Sequence, residues 1–182
     1  EVFVSVLGGS QLFYVEAWMS QQTEDFISAC EHALHYYGGS PLAIVPDNLK
    51  SAVIRSNRYE PVLNEAFRDF ASHYTMAVLP AGPYKPTHKA LVEGAVKIIY
   101  RAIYQKIRSG VFSSLESINK AIREALDDFN NRPMSGRASS SSKRAVAMMS
   151  SYPFSLSTPT AFFKCVSLTS HTAIGWTFFM PG

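Results

Sequence analysis

Apolar positions recur along this chain at two spacings, and the spacing changes from segment to segment. Val2 to Leu7 is a compact apolar run closed by Gly8-Gly9-Ser10, and Leu12 to Trp18 follows with aromatic and β-branched residues. Two such runs around a glycine turn predict a β-hairpin. Thr23 stands where a helix cap belongs. From it Phe26, Ile27, Cys30, Ala33, Leu34 and Tyr37 form a stripe at helical spacing, which Gly38-Gly39 stops. Leu42 to Val45 predicts a short buried strand ending at Pro46-Asp47.

A polar, basic stretch follows. Asn64 to Tyr74 predicts a helix with Phe67, Phe70 and Ala71 inward, and Met76 to Leu79 a strand. Pro80, Pro83 and Pro86 forbid regular structure and predict a loop. From His88 to about Arg108, Val92, Val96, Ile99, Ile103 and Ile107 mark one face of a long helix. A further helix is expected from Ser113, with Glu116 completing a capping box and Leu115, Ile118, Ile122, Leu126 and Phe129 inward. Asn130-Asn131-Arg132-Pro133 closes the helical section, Ser135 to Ser142 reads as a linker, and Phe162–Leu168 and 174–180 are β-like runs. Strands alternating with helices predict an α/β layered domain.

Composition adds bounds. The 182 residues are 47% hydrophobic and 17% charged, which fits a packed core and excludes disorder. No apolar run approaches a membrane span, and Glu1-Val2-Phe3-Val4 lacks the basic start of a signal peptide. Cys30 and Cys165 lie far apart in no metal-type spacing, so free thiols and a cytoplasmic setting are expected. Charge is uneven. Residues 1–83 carry 4 basic and 9 acidic side chains, residues 84–144 carry 12 and 5, and Lys164 is the one charge thereafter. The basic middle section reads either as a phosphate-binding face or as a solvated helical surface.

Two acids carry the candidate chemistry. Asp47 follows a buried strand, at the carboxyl end of a sheet where α/β sites lie. Its bland reading is a turn residue beside Asn48. Glu93 recurs with Lys89, Lys97 and Arg101 every four residues, so the four share one helix face. Their bland reading is a row of exposed ion pairs worth a few tenths of a kcal/mol each. His32 and His35 lack a further ligand for a metal set, and Trp18 and Trp176 read as core or interface aromatics.

Wider contexts favour the functional readings. Val45-Pro46-Asp47-Asn48-Leu49-Lys50-Ser51, Arg58-Tyr59-Glu60-Pro61, His73-Tyr74, Lys85-Pro86 through Lys89, Val92-Glu93 and Asn130-Asn131-Arg132-Pro133 occur in one order, after Phe3-Val4-Ser5-Val6-Leu7-Gly8. Together they resemble the IstA-type transposases of two-gene bacterial insertion sequences, over roughly residues 1–135. The resemblance implies an RNase H-like, integrase-type core (a mixed sheet flanked by helices) with a D-D-E triad. Asp47 matches its second Asp and Glu93 its Glu. It implies two Mg²⁺ ions, or Mn²⁺ in their place, and hydrolysis and strand transfer at transposon ends. Lys50, Arg55, Arg58, Lys85, Lys89, Lys97 and Arg101 become the candidate DNA contacts by charge and proximity. Implied partners are transposon-end and target DNA, an AAA+ ATPase helper and further copies of the chain, in a bacterial, nucleoid-associated setting without a membrane.

The family's first Asp lies on a strand upstream of Phe3 to Leu7, and neither Glu1 nor Glu16 matches it. That strand is central in the family's sheet. The expectation is therefore a core, 1–134, lacking its first strand and exposing two unpaired inner edges, as a piece of a longer transposase that does not cut alone. A linker, 135–160, and the start of a small β-barrel-like module, 161–182, would follow. The competing expectation is a non-catalytic DNA-binding or assembly remnant.

Overall fold

The computed structural model describes residues 1–20, 22–46, 53–55, 62–79, 86–133 and 162–168; of residues 53–55, 62–63, 86–93, 95–96 and 162–168 it describes the backbone alone. In chain order the elements are β1 (Val2–Leu7), β2 (Phe13–Ala17), α1 (Thr23–Tyr37), β3 (Ala43–Pro46), β4 (Val53–Arg55), β5 (Val62–Leu63), α2 (Glu65–His73), β6 (Ala77–Val78), α3 (Pro86–Ile107), α4 (Leu115–Asn131) and β7 (Phe162–Leu168). Five strands form one sheet in the order β2-β1-β7-β3-β6, and β4 pairs with β5 apart from it. β1 is antiparallel to both β2 and β7, whereas β3 is parallel to both β7 and β6.

The sequence expectation fails at β7. Its residues were assigned to a separate β module, and the sheet was expected to be open between β1 and β3. Instead the last strand in sequence is the middle strand in space. It is paired over six positions with β1 and four with β3. Two half-sheets that share no ladder are thereby joined, and neither inner edge is left unpaired.

Strand alternation sorts the faces. Phe3 meets Phe26 of α1 edge-on at 5.8 Å between ring centroids, Phe26 tilts against Phe67 of α2 at 5.5 Å, and Phe67 against Phe70 at 6.0 Å. Ser5, on the same side as Phe3, shares a 2.8 Å hydrogen bond with Tyr37 of α1. The other side carries Val2, Val4 and Val15. They line a cavity of about 20 Å³ with Ile99, Ile103 and Ile107 of α3 and Ile122 of α4. An apolar space this size holds at most one water and has no polar partner to offer it.

Several boundaries differ from the sequence reading. α3 begins at Pro86, whose missing N–H costs nothing in a first turn. The capping box of α4 is Ser114 with Ser117, not Ser113 with Glu116. Thr23 opens α1 without capping it, and its hydroxyl accepts from Asn64 Nδ2 at 3.3 Å. In the hairpin turn the left-handed residue is Gln11, φ 58°, rather than a glycine. Its side chain donates to Gly8 O at 2.7 Å. Gly38 does end α1 in the left-handed conformation, φ 76°, with its N–H donating to Leu34 and His35 carbonyls.

The edge of β2 is closed by side chains of α4. Ala17 N–H donates to Asn119 Oδ1 at 2.7 Å, and Asn119 Nδ2 donates to Ala17 O at 3.0 Å. Asn130 does the same at Phe13, accepting at 3.2 Å and donating at 2.8 Å, and it also donates to Tyr36 Oη at 3.0 Å. Each amide thus stands in for a strand partner. Asn130→Ala would strand both buried backbone groups of Phe13, at a cost of about 2–5 kcal/mol. Urea unfolding should show this loss for Asn130→Ala and almost none for Asn131→Ala, because Asn131 is exposed.

Candidate functional site

The proposed acids and cations are spread over β3, β4, α3 and the segments that join them. Asp47 follows Pro46, the last residue of β3, and lies outside the described residues with Lys50, Arg58 and Lys85. Arg55 is in β4, in register with Val62 of β5. Lys89 and Glu93 belong to the first two turns of α3. Farther along that helix Lys97 and Arg101 are exposed, and Ile98 beside them is 59% exposed. The opposite flank is sealed, with Ile99, Ile103 and Ile107 at 0–5% exposure. One helix therefore packs on the sheet with one face and presents cations to solvent with the other. Lys106, near its end, is ion-paired with Asp128 of α4, and this ammonium holds the Asp128 carboxyl below the usual carboxylate range. Tyr100 and Tyr104 stack at 5.5 Å with planes 9° apart.

Among the described residues, no three His, Cys, Asp or Glu side chains gather into a set that could hold a metal ion. Asp47 and Glu93 offer the hard oxygen donors that Mg²⁺ prefers. The central strand between β1 and β3 brings no carboxylate: its sequence is FFKCVSL.

Sequence reasoning gave Glu16 no role, and the structure gives it one. This carboxylate is 8% exposed on β2. Tyr14 Oη and Trp18 Nε1 donate to its Oε2 at 2.9 and 3.2 Å, and His32 Nδ1 lies 3.1 and 3.2 Å from its two oxygens. Glu16 pairs with Phe3 in the sheet and so lies on the α1 face, opposite the face that α3 covers. Nothing in the local sequence announces the cluster, because its members come from a strand, the residue after it and a helix.

Burial, then the neighbouring Glu16 charge and its hydrogen bond, push the Tyr14 phenol far above its ordinary pKa. Burial pushes Tyr36 up to about 12. A pKa raised by folding contributes stability that is complete below the unfolded value of 10 and is lost as pH rises through the folded value. Urea unfolding midpoints should therefore fall between pH 10 and about 12, and Tyr36→Phe should flatten that slope.

Comparison with known proteins places the matched stretch. No family model matches the chain. It is 46% identical over 134 residues to the "Putative transposase y4bL/y4kJ/y4tB" of Sinorhizobium fredii, covering 74% of this chain and 26% of that protein. It is 29% identical over 125 residues to the transposase for insertion sequence element IS21 of Pseudomonas aeruginosa, covering 69% and 32%. The chain thus spans about a quarter to a third of the length of these curated relatives. Among solved structures it superposes on the catalytic core domain of BIV integrase with a TM-score of 0.61 at 12% identity, over 84% of this chain and 90% of that one. On the HTLV-2 integrase catalytic core domain in complex with magnesium the TM-score is 0.60 at 21% identity, over 78% and 82%. The chain has the RNase H-like fold of the integrase catalytic cores, and over most of its length it is related in sequence to insertion-sequence transposases.

Proposed function

We propose that residues 1–134, completed by β7, are the catalytic-core segment of an IstA-type transposase that acts on DNA. One coincidence carries the reading: a superposition on an integrase core over 84% of the chain and a transposase sequence match over 74% of it must overlap across more than half of its residues. In this reading Asp47 and Glu93 are metal ligands, and Mg²⁺ ions supply charge stabilisation at a phosphodiester and an activated oxygen nucleophile. The chain's own part is positioning. α3 carries Glu93 and the exposed Lys97 and Arg101 on one face, so DNA phosphates held by the two cations run past the acid. Lys50, Arg55, Arg58, Lys85 and Lys89 extend the same basic surface. Transposon ends and target DNA are the substrates, a synaptic assembly of several copies the working form, and an AAA+ ATPase the helper. The proposed setting is the bacterial cytoplasm at the nucleoid. No described helix is long and apolar enough to cross a membrane.

A second reading is a DNA-binding or assembly module without chemistry. The acid-free β7 at the centre of the sheet favours it for this chain taken alone. Two measurements on the 182-residue chain separate the readings. Both expect binding to duplex DNA that weakens steeply with ionic strength. Mg²⁺-dependent nicking is expected only if the chain itself completes an acid site. A chain with no salt-sensitive DNA affinity would remove both.

A further inference from the structure

Between its sealed face and its cations, α3 carries a pair of aromatic rings. Tyr100 and Tyr104 are half-buried, and their rings lie parallel, with centroids 5.5 Å apart and planes 9° apart. Both line the apolar cavity beside Val2 and Val4, so one side of the pair closes the core. At about 100° per residue, Lys97, Arg101 and Arg108 lie within about 60° of Tyr104 around the helix axis, and Ile103 and Ile107 lie on its other flank. Arg108 continues the last turn, its N–H donating to Tyr104 O at 2.9 Å. All three cations are exposed, and among the described residues no carboxylate pairs with any of them. Lys106, on the opposite side of the helix, is by contrast neutralised by Asp128.

We propose that this strip binds unpaired DNA nucleotides. The cations take the phosphates of one strand, and its bases stack on the exposed part of the Tyr100–Tyr104 pair. A run of cations alone serves any polyanion; the rings are what favour bases. Bases inside a duplex are stacked on one another and show only their edges in the grooves, so the rings find no face to meet. A frayed end or a single strand offers one. Ring faces carry no donor or acceptor code, so the preference is for strandedness and not for sequence. Mutual stacking already orders both tyrosines, which leaves little side-chain freedom to lose when a base docks. The proposal rests on the reading of α3 as a DNA-facing helix, and it needs neither Asp47 nor Glu93.

The test uses the full chain and fluorescence anisotropy with two labelled duplexes of equal length and charge. One is blunt, and the other has its last few pairs mismatched. Wild type should favour the frayed duplex at least about fivefold. Tyr100→Leu with Tyr104→Leu keeps apolar bulk over the cavity and removes the aromatic faces. It should erase the preference while changing affinity for the blunt duplex and for heparin less than about twofold. Tyr100→Phe with Tyr104→Phe should keep the preference, because stacking needs the ring and not the hydroxyl. Lys97→Gln with Arg101→Gln should weaken both duplexes and flatten their salt dependence. Circular dichroism checks folding. A folded leucine pair that still favours the frayed duplex overturns the proposal, and so does one that loses blunt duplex and heparin in the same proportion. Wild type supplies a check free of any variant: photo-crosslinking of an iodouracil-substituted single strand should map to Tyr100 or Tyr104, and crosslinks confined to other residues overturn the proposal. If no DNA binds in a salt-sensitive way, the DNA reading fails and takes the proposal with it. If the blunt duplex binds as well as the frayed one, the proposal alone fails.

Discussion

Asparagine in place of Asp47 is expected to lower strand transfer at least about a hundredfold in a complete transposase built on this core. The substitution keeps the size of the side chain and its hydrogen-bonding reach. It removes one negative charge and the hard anionic oxygen that Mg²⁺ prefers. DNA affinity should stay the same or rise slightly, because the proposed phosphate contacts are lysines and arginines and one repulsive carboxylate is gone. Glu93→Gln should behave alike if, as proposed, both acids serve one site. The informative measurement is paired: strand-transfer rate with saturating DNA, and binding of the same DNA at several salt concentrations. Unchanged transfer in Asp47→Asn would remove Asp47 from the mechanism. Loss of transfer with a parallel loss of affinity would mark Asp47 as a structural turn residue, its bland alternative.

What the sequence disclosed and what it withheld follow from the range of the forces involved. Helices α1, α2, α3 and α4 and the β1–β2 hairpin were legible because burial of one face writes a local period into the chain. Phe67 and Ile122 sit at 0% and 1% exposure where that period put them. The cap of α4 was misread by one residue because Ser113 and Ser114 are adjacent and periodicity does not choose between them. Nothing local singles out Asn119, and Asn130 reads in the sequence as a helix terminator. Their actual partners, Ala17 and Phe13, are 102 and 117 residues away. Phe162–Leu168 was recognised as a strand, but alternation reports that a segment is extended and not which strands flank it. Of the proposed site, the order of motifs along the chain singles out Asp47 and Glu93 as candidates. One follows β3 and the other lies in α3, elements well apart in sequence that local periodicity does not relate.

Proline at position 164 should unfold the chain or cost at least about 3 kcal/mol, a large share of the roughly 5–15 kcal/mol that stabilises a domain. Lys164 lies where β7 is flanked on both sides, by Val6 and by Val45. In a central strand every N–H has a ladder partner on one side or the other, so a residue without one breaks a bond that an edge strand could forgo. The damage spreads because, among the described strands, β7 alone joins β2–β1 to β3–β6. Lys164→Ala separates the backbone effect from the side-chain effect at the same position. It keeps the N–H and should shift the urea midpoint by far less than proline does. Equal midpoints for wild type and Lys164→Pro would mean that the two half-sheets hold together without this strand.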